Sequence, residues 1–430
     1  MTNSIPTGKL GRALAGGKTA AKTGGALLGY YTKRPFLSSQ MRRIEKTKAQ
    51  QASARSLFSG LALLKGTALK VAQQLSLETD MLPEAVCREL SRAYHQVTPI
   101  NKALVRKVIQ NELGAPPEDI FKSFDLEAFA AASLGQVHRA ITEDGRRLAV
   151  KIQYPGIAET IENDMTLVRQ MLRPVVPGHQ LMPTLTEVTA RLKEEVNYFQ
   201  EADNITCFKN RLNMEGVRLP DVHRDLTSKS VLSLTHLPGR PLDIWLAGGP
   251  TQKDRQIVAR RLNDIFLTAL YECHVIHADP NPGNFIINDD LSVGLVDFGC
   301  IKHLSPEFIE QYRQLVISAA HDDKSVHFQS MIDIGMLQQE QGNEAEHDIR
   351  AMSDEICSWF GTLYQTETFN FKAHPDFMAQ GKAIMQRCQH LHRHINVNPD
   401  FIFLERTRYG LFRLFEQMAV NIAFRNPYEW

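Results

Sequence analysis

The chain has no eighteen consecutive apolar residues, which excludes an ordinary transmembrane helix of about 20 residues. Nor does it have cysteines in CxxC spacing. The six stand at 87, 207, 273, 300, 357 and 388, and a chain of 430 residues needs no cross-links to hold a core. They read as free thiols of a reducing compartment; the alternative is pairing in an oxidising one. Net charge is almost nil, with 49 Lys and Arg against 48 Asp and Glu. That excludes a globally basic nucleic-acid coat and an acidic solvating protein. No zinc-finger spacing, stacking array or basic groove points to nucleic acid. With 26 glycines and 20 prolines the chain is not of low complexity. It shows no internal repeat and no heptad run.

What is present is a foldable composition, 43% apolar and 23% charged, with its charge unevenly placed. Residues 1–50 carry ten Lys and Arg and one acid, Glu45, so the other 380 residues balance at −8. A solvated arm is the plainest reading of residues 1–37. Contact with an anionic membrane surface, at about 1 kcal/mol per cation, and organelle targeting are the alternatives. Residues 38–75 read as helix, with Leu57, Leu61, Leu64, Ala68 and Val71 on one face and Lys70 and Gln73 sharing a side. Further helices are expected near Pro83 and over 99–112.

From 117 the texture changes. Strands are expected at Gln136–Ile141 and Leu148–Gln153 around an Asp144–Gly145 turn, and helices over 157–172 and 184–212. Residues 222–242 read as strand, turn, strand and linker, and the chain after 251 as mostly helical. Four segments follow: an arm to 37, a helical extension over 38–116, a strand-rich lobe over 117–240 and a helical lobe over 241–430.

The chemistry concentrates in HADPNPGNFIINDDLSVGLVDFG. Asp279 and Asn284 are five apart on a loop, and Asp297 opens an Asp-Phe-Gly after an expected hairpin of Phe285–Ile287 and Ser292–Val296. A lone Asp-Phe-Gly arises by chance. The ordered D-x4-N-x12-DFG between apolar strands is far more specific, and it is the means by which a kinase-like lobe holds Mg²⁺ against ATP phosphates. Asn284 and Asp297 are therefore expected metal ligands. Asp279 is read as the group that orients or deprotonates the attacking hydroxyl, taken to be water. In LAVKIQ, Lys151 alternates with Leu148, Val150 and Ile152 and is expected to meet the α/β-phosphates. Glu194, Glu195 and Glu201 are the acids offered as its counter-ion, with Glu201 preferred. Residues 128–136, AFAAASLGQ, stand where a phosphate-covering loop belongs, without GxGxxG. Amides near Ala131–Ser133 and the Ser133 hydroxyl are expected near phosphate, with Gly135 alone keeping glycine freedom; a small-residue packing turn is the alternative.

These residues carry a family resemblance. The chain resembles the ABC1/ADCK/UbiB atypical kinase-like family, whose members include the COQ8 proteins. KVAQ at 70–73 resembles its KxGQ motif, AAAS at 130–133 its Ala-rich loop, and EVNYFQEADN at 195–204 its ExD segment with the lysine-pairing Glu201. HADPNPGN and Asp297-Phe-Gly match its metal loops. Two positions depart: Ala72 replaces a glycine and Asn197 an aspartate. Lacking the terminal pair of long apolar segments of the bacterial UbiB branch, the chain resembles the COQ8-like branch more closely.

The resemblance implies an α+β, bilobal protein-kinase-like fold with a helical N-terminal extension and a mostly helical C-lobe. It implies ATP or ADP with Mg²⁺, Mn²⁺ being the alternative ion, near Ala130, Ala131, Ala132, Ser133 and Lys151. From their position where the lobes join, the backbone groups of Thr235, His236 and Leu237 are expected to read the adenine edge. The resemblance implies that Lys70 and Gln73 would reach the nucleotide from the N-terminal cover, and that Glu195, the first acid of ExD, would belong to the same nucleotide site. The implied function is a Mg²⁺-dependent ATPase supporting ubiquinone or other isoprenoid-lipid biosynthesis, its N-terminal helices blocking protein substrates. A small-molecule or lipid phosphotransferase and a nucleotide-gated scaffold of a biosynthetic complex are the alternatives. Implied partners are quinone or isoprenoid precursors, an anionic membrane, biosynthetic proteins and a second copy as homodimer, with no nucleic acid. The implied location is cytoplasmic and peripheral to an inner membrane, mitochondrial if the source is eukaryotic.

Other features read as structural. His277 is expected as a packing and hydrogen-bonding strut, Trp245 and Trp359 as core or interface, and Glu272, Cys273 and His274 as the continuation of a helix. Cys388, His390, His392 and His394 read as packed or solvated, with a metal site as the alternative.

Overall fold

The computed structural model describes residues 29–38, 100–132, 134–172, 178–337, 343–391, 395 and 398–430, with isolated positions at 25, 41, 42, 45, 48, 49 and 52. The expected 38–75 helix face with Lys70 and Gln73, the Pro83 helix, Ser133, His392 and His394 lie outside the described residues. The chain divides into two compact units. One holds the residues up to Glu201 with Val222–His236, and the other holds Ala202–Asp221 with Leu237–Trp430.

The first unit is built on an antiparallel sheet. Its strands are β1 (Ser123–Phe124), β2 (Ala130–Ala132), β3 (Gly135–Ile141), β4 (Arg147–Gln153) and β5 (Val231–Thr235). The order is β1-β3-β4-β5, with β2 also paired to β3. Side chains alternate across a strand, so Leu148, Val150 and Ile152 enter the core while Lys151 stands on the opposite face, level with Val137 and Leu232. Helix α1 (Lys102–Leu113) starts at Asn101, whose Oδ1 accepts the Leu104 amide at 2.8 Å. It packs Val105 and Ile109 against Phe121, Val150 and Val231. A buried relay locks its entry. The Ile100 amide donates to Gln136 Oε1 at 3.0 Å, Gln136 Nε2 to His138 Nε2 at 2.8 Å, and His138 Nδ1 to the Asp125 carbonyl at 2.8 Å. Burial lowers the His138 pKa despite that carbonyl, which keeps the ring neutral with its proton on Nδ1.

Helix α2 (Ile157–Leu172) lies where the pattern expects it. The single helix expected over 184–212 is two: α3 (Gly178–Glu195) and α4 (Tyr198–Arg211). The break is an N-cap. Asn197 Oδ1 accepts the Gln200 amide at 3.3 Å. Over 222–242 only β5 is a full strand of this sheet; Val222 makes an isolated bridge to Leu234, followed by a 3-10 turn at Arg224–Leu226.

In the second unit, β6 (Val275–His277) pairs with β9 (Ile301–His303), and β7 (Phe285–Ile287) pairs with β8 (Val293–Leu295), all antiparallel. Short strands Val217–Arg218 and Arg240–Pro241 flank the second pair. After a short helix at Leu242–Ala247, the longer helices are α5 (Gln252–Tyr271), α6 (Pro306–Ala320), α7 (Lys324–Asp333), α8 (Asn343–Gly361), α9 (Phe377–Arg387) and α10 (Pro399–Met418). Helix α5 is capped by Thr251 and packs on α10. It ends at Tyr271, so Glu272–His274 form its exit turn instead of continuing it; His274 has φ 54°. Trp245 is buried, and Trp359 stacks on Phe377 at 4.8 Å.

A buried ionic network closes this unit. Glu429 accepts the Tyr271 and Tyr364 hydroxyls, each at 2.8 Å, and pairs with Arg408. Burial alone would raise the Glu429 pKa, but the Arg408 charge and these donors hold it below the usual carboxylate range. Removing one partner of such a pair costs about 3–5 kcal/mol, because the other charge stays buried. His327 on α7 is buried with Nδ1 toward the Leu315 carbonyl at 3.3 Å, and burial lowers its pKa to about 4. Its folded pKa lies below the unfolded value near 6.5, so the unfolded chain takes the proton first as pH falls. Between pH 7 and pH 5 this residue is expected to remove about 2 kcal/mol of stability. Denaturant unfolding of parent and His327→Asn at both pH values checks this; an equal loss in both proteins would refute it.

Candidate functional site

The first unit contributes a desolvated ion pair. Lys151 Nζ donates to both carboxylate oxygens of Glu201 at 2.9 Å. Glu201 is only 2% exposed and the Lys151 side chain 12%. The Tyr198 ring lies 5.3 Å from Nζ, adding a cation–π contact. Local folding explains the pairing. Asn197 starts α4, so Tyr198 and Glu201, three apart, share the helix face that meets β4. Of the three acids offered by the sequence, Glu201 is thus paired with Lys151. Glu195 ends α3 half-buried and Glu194 is exposed. Tyr198 was missed; a helix N-cap at Asn197 was the signal that would have placed it.

Within the AFAAASLGQ stretch, β2 pairs antiparallel with the start of β3. Ala130, Ala131 and Ala132 on β2 face Val137, Gln136 and Gly135 on β3. Ala130 and Ala131 are exposed and Leu134 is buried. Gly135 serves close packing: a Cβ there would lie 2.2 Å from the Ile152 carbonyl oxygen. Its role differs from the phosphate-loop freedom expected of it. Thr235 ends β5, and its hydroxyl hydrogen-bonds His223 Nε2 at 3.1 Å. Leu237 opens the next segment of the second unit and packs over Gly294.

The second unit brings the two acidic loops into one register. Asn284 Nδ2 donates to the Asp279 carbonyl at 3.2 Å and to Asp279 Oδ2 at 3.1 Å. The Val296 amide donates to the Asn284 carbonyl at 3.0 Å, holding Asp297 next to Asn284. His277 Nε2 donates to the Asp297 carbonyl at 2.7 Å, and its ring sits edge-on to Phe298 at 5.3 Å. That is the strut the sequence suggests. The Ala278 amide donates to the Cys300 carbonyl at 2.9 Å. Asp297 is left-handed at φ 65°, and its Oδ1 accepts the Gly299 amide at 3.3 Å. A non-glycine residue in this region is strained, and such strain gathers at functional loops.

This set fits a hard divalent cation. With Nδ2 committed to Asp279, the Asn284 Oδ1 is the oxygen left to offer a metal, and Asp297 supplies a carboxylate. Among the described residues no three His, Cys, Asp or Glu gather as a protein cage. Mg²⁺ does not require one, since phosphate and water complete its octahedron beside one or two carboxylates.

The loops, the paired lysine and the Ala-rich strand all fall within the span of one family match. The ABC1 atypical kinase-like domain matches residues 92–331. The chain belongs to this family. The mitochondrial atypical kinase coq-8 of Caenorhabditis elegans is 26% identical over 98% of this chain and 57% of its own length. The mitochondrial atypical kinase COQ8B of Rattus norvegicus is 30% identical over 77% of this chain and 64% of its own. A UbiB protein of Cellvibrio japonicus is 31% identical over 51% of this chain and 41% of its own. With COQ8-named and UbiB-named proteins at similar identity, the comparisons give the ABC1 family and no single branch. The chain spans between 41% and 64% of the length of these three relatives. The solved complex of Rv3197 with erythromycin from Mycobacterium tuberculosis shares the kinase-like fold, with TM-score 0.60 and 24% identity over 90% of this chain and 96% of that one. No helix among the described residues is long and apolar enough to cross a membrane.

The ion pair makes a test independent of activity. Glu201→Leu strands a largely buried ammonium and is expected to cost about 3–5 kcal/mol. Adding Lys151→Met is expected to recover at least about 1 kcal/mol in a double-mutant cycle. Strictly additive unfolding energies would show that the two charges do not depend on each other.

Proposed function

We propose that this ABC1-family chain is a Mg²⁺-dependent ATPase. The carrying observation is the tethering of Asp279 to Asn284, with Asp297 fixed next to Asn284 through the Val296 amide. Lys151, kept charged and extended by Glu201, takes the α/β-phosphates. The Ala130–Ala132 strand covers them, Ser133 adds a hydroxyl, and the Thr235–Leu237 backbone receives the adenine edge. Asn284 and Asp297 hold the cation, which when bound neutralises charge on the phosphate oxygens. Asp279 orients the attacking water and takes its proton, and Asn284 Nδ2 fixes the carboxylate for that role. Positioning and fixed charge supply the rate, as the loose transition state of phosphoryl transfer requires.

The client is proposed from the resemblance to COQ8-like members: a quinone or isoprenoid-lipid precursor, met at a membrane surface by the basic N-terminal residues. Lys70 and Gln73 act on the nucleotide from the N-terminal cover, which keeps protein substrates out, and Glu195, the first acid of ExD, joins them at the nucleotide. Asp279→Asn and Asp297→Asn are each expected to lower phosphate release by about 100-fold or more while the fold persists. Colorimetric phosphate release with Mg²⁺ and ATP measures this, and parental turnover in both variants would refute the assignment. Phosphate appearing on an added isoprenoid alcohol instead of in solution would make the chain a phosphotransferase.

A further inference from the structure

Asp279 is braced on both sides by a helix that lies outside the family match, which ends at residue 331. Arg406 on α10 donates from Nη2 to the carbonyl of Ala278 at 2.6 Å, one residue before Asp279. The same nitrogen lies 3.7 Å from the Cys300 sulfur, next after Gly299 of the Asp-Phe-Gly segment. Ala278 is fully buried, so water cannot replace that donor without reopening the core. One turn further along α10, Gly410 faces Pro280, one residue after Asp279. A Cβ at Gly410 would lie 2.2 Å from Pro280 Cγ and 2.6 Å from its Cβ. The proline ring is rigid and cannot swing aside as a flexible chain end would. Residues 406 and 410 are four apart and so lie on one face of the helix.

We infer that α10 sets the position of Asp279, with Arg406 and Gly410 as positioning residues that act through Ala278 and Pro280. This rests on the reading of Asp279 as the residue that orients the nucleophile. Arg406 fixes the loop by a charge-assisted hydrogen bond, stronger than a neutral one. Gly410 fixes it by shape, admitting the ring of Pro280 against the helix backbone. Neither residue has to touch nucleotide or metal, so their loss acts on turnover and not on nucleotide affinity.

The test uses the full chain with Mg²⁺ and ATP and follows kcat, KM and thermal midpoint. Arg406→Met and Gly410→Ala are each expected to lower kcat by about 10-fold to 100-fold, the effect of a small misplacement at a reacting group. The KM for ATP stays within about twofold, and Arg406→Lys, which keeps a donor, recovers part of the loss. In the Pro280→Gly background, where the ring and its Cβ are both gone, Gly410→Ala is expected to cost less than about twofold. Parental kcat in both Arg406→Met and Gly410→Ala, beside an inactive Asp279→Asn, would overturn the positioning role alone. So would a Gly410→Ala loss of equal size with and without Pro280, or a rise in KM that accounts for the whole effect. Parental turnover in Asp279→Asn would overturn the reading of Asp279 itself. If Gly410→Ala does not fold, Arg406→Met and Arg406→Lys decide the question.

Discussion

Two loops separated in sequence behave as one because their backbones are laced together. The Val296 amide on the Asn284 carbonyl, the His277 ring on the Asp297 carbonyl and the Ala278 amide on the Cys300 carbonyl set one register. Each donor and acceptor is a group that must be satisfied once buried, so the register is over-determined. Strand pairing of β6 with β9 and of β7 with β8 delivers these partners. The left-handed conformation of Asp297 persists because its neighbours are fixed on both sides. Loss of this lacing would leave Asp279, Asn284 and Asp297 as three independent polar side chains.

The first unit solves a different problem, keeping a lysine charged while largely removed from water. A buried ammonium alone would lose its proton or unfold its surroundings. Glu201 answers with two oxygens at equal distance and Tyr198 with the face of a ring. Asn197, which the sequence reading sets against an aspartate of the resembled family's motif, caps α4 with its side chain. That cap needs an acceptor oxygen and no charge, which asparagine supplies as well as aspartate.

Where period and turn chemistry agree, structure is readable from residues. The β3–β4 hairpin, the α2 span and the β7–β8 hairpin appear close to their expected bounds, because alternating burial and turn residues speak for the same answer. Lys151 was legible from alternation and Glu201 from the short list of acids downstream. The break between α3 and α4 was missed because apolar spacing runs through it, and only the Asn197–Gln200 cap betrays it. Gly135 was read for its freedom and turned out to matter for its missing Cβ, which depends on where β4 passes. Arg406 and Gly410 could not have been found: their partners lie over 120 residues earlier, and no local pattern records a contact at that separation.

The capped start of α4 also limits how this stretch of chain can vary in length. A helix turns about 100° per residue, and Asn197 sets the angular origin from which Glu201 is measured. One residue inserted or deleted between them would swing the carboxylate around the helix axis by that angle and away from Lys151. The Asp144–Gly145 turn, at the far end of the β3–β4 hairpin, has no such phase to keep. Lengthening is therefore tolerated at the hairpin tip and forbidden four residues upstream of the lysine's partner.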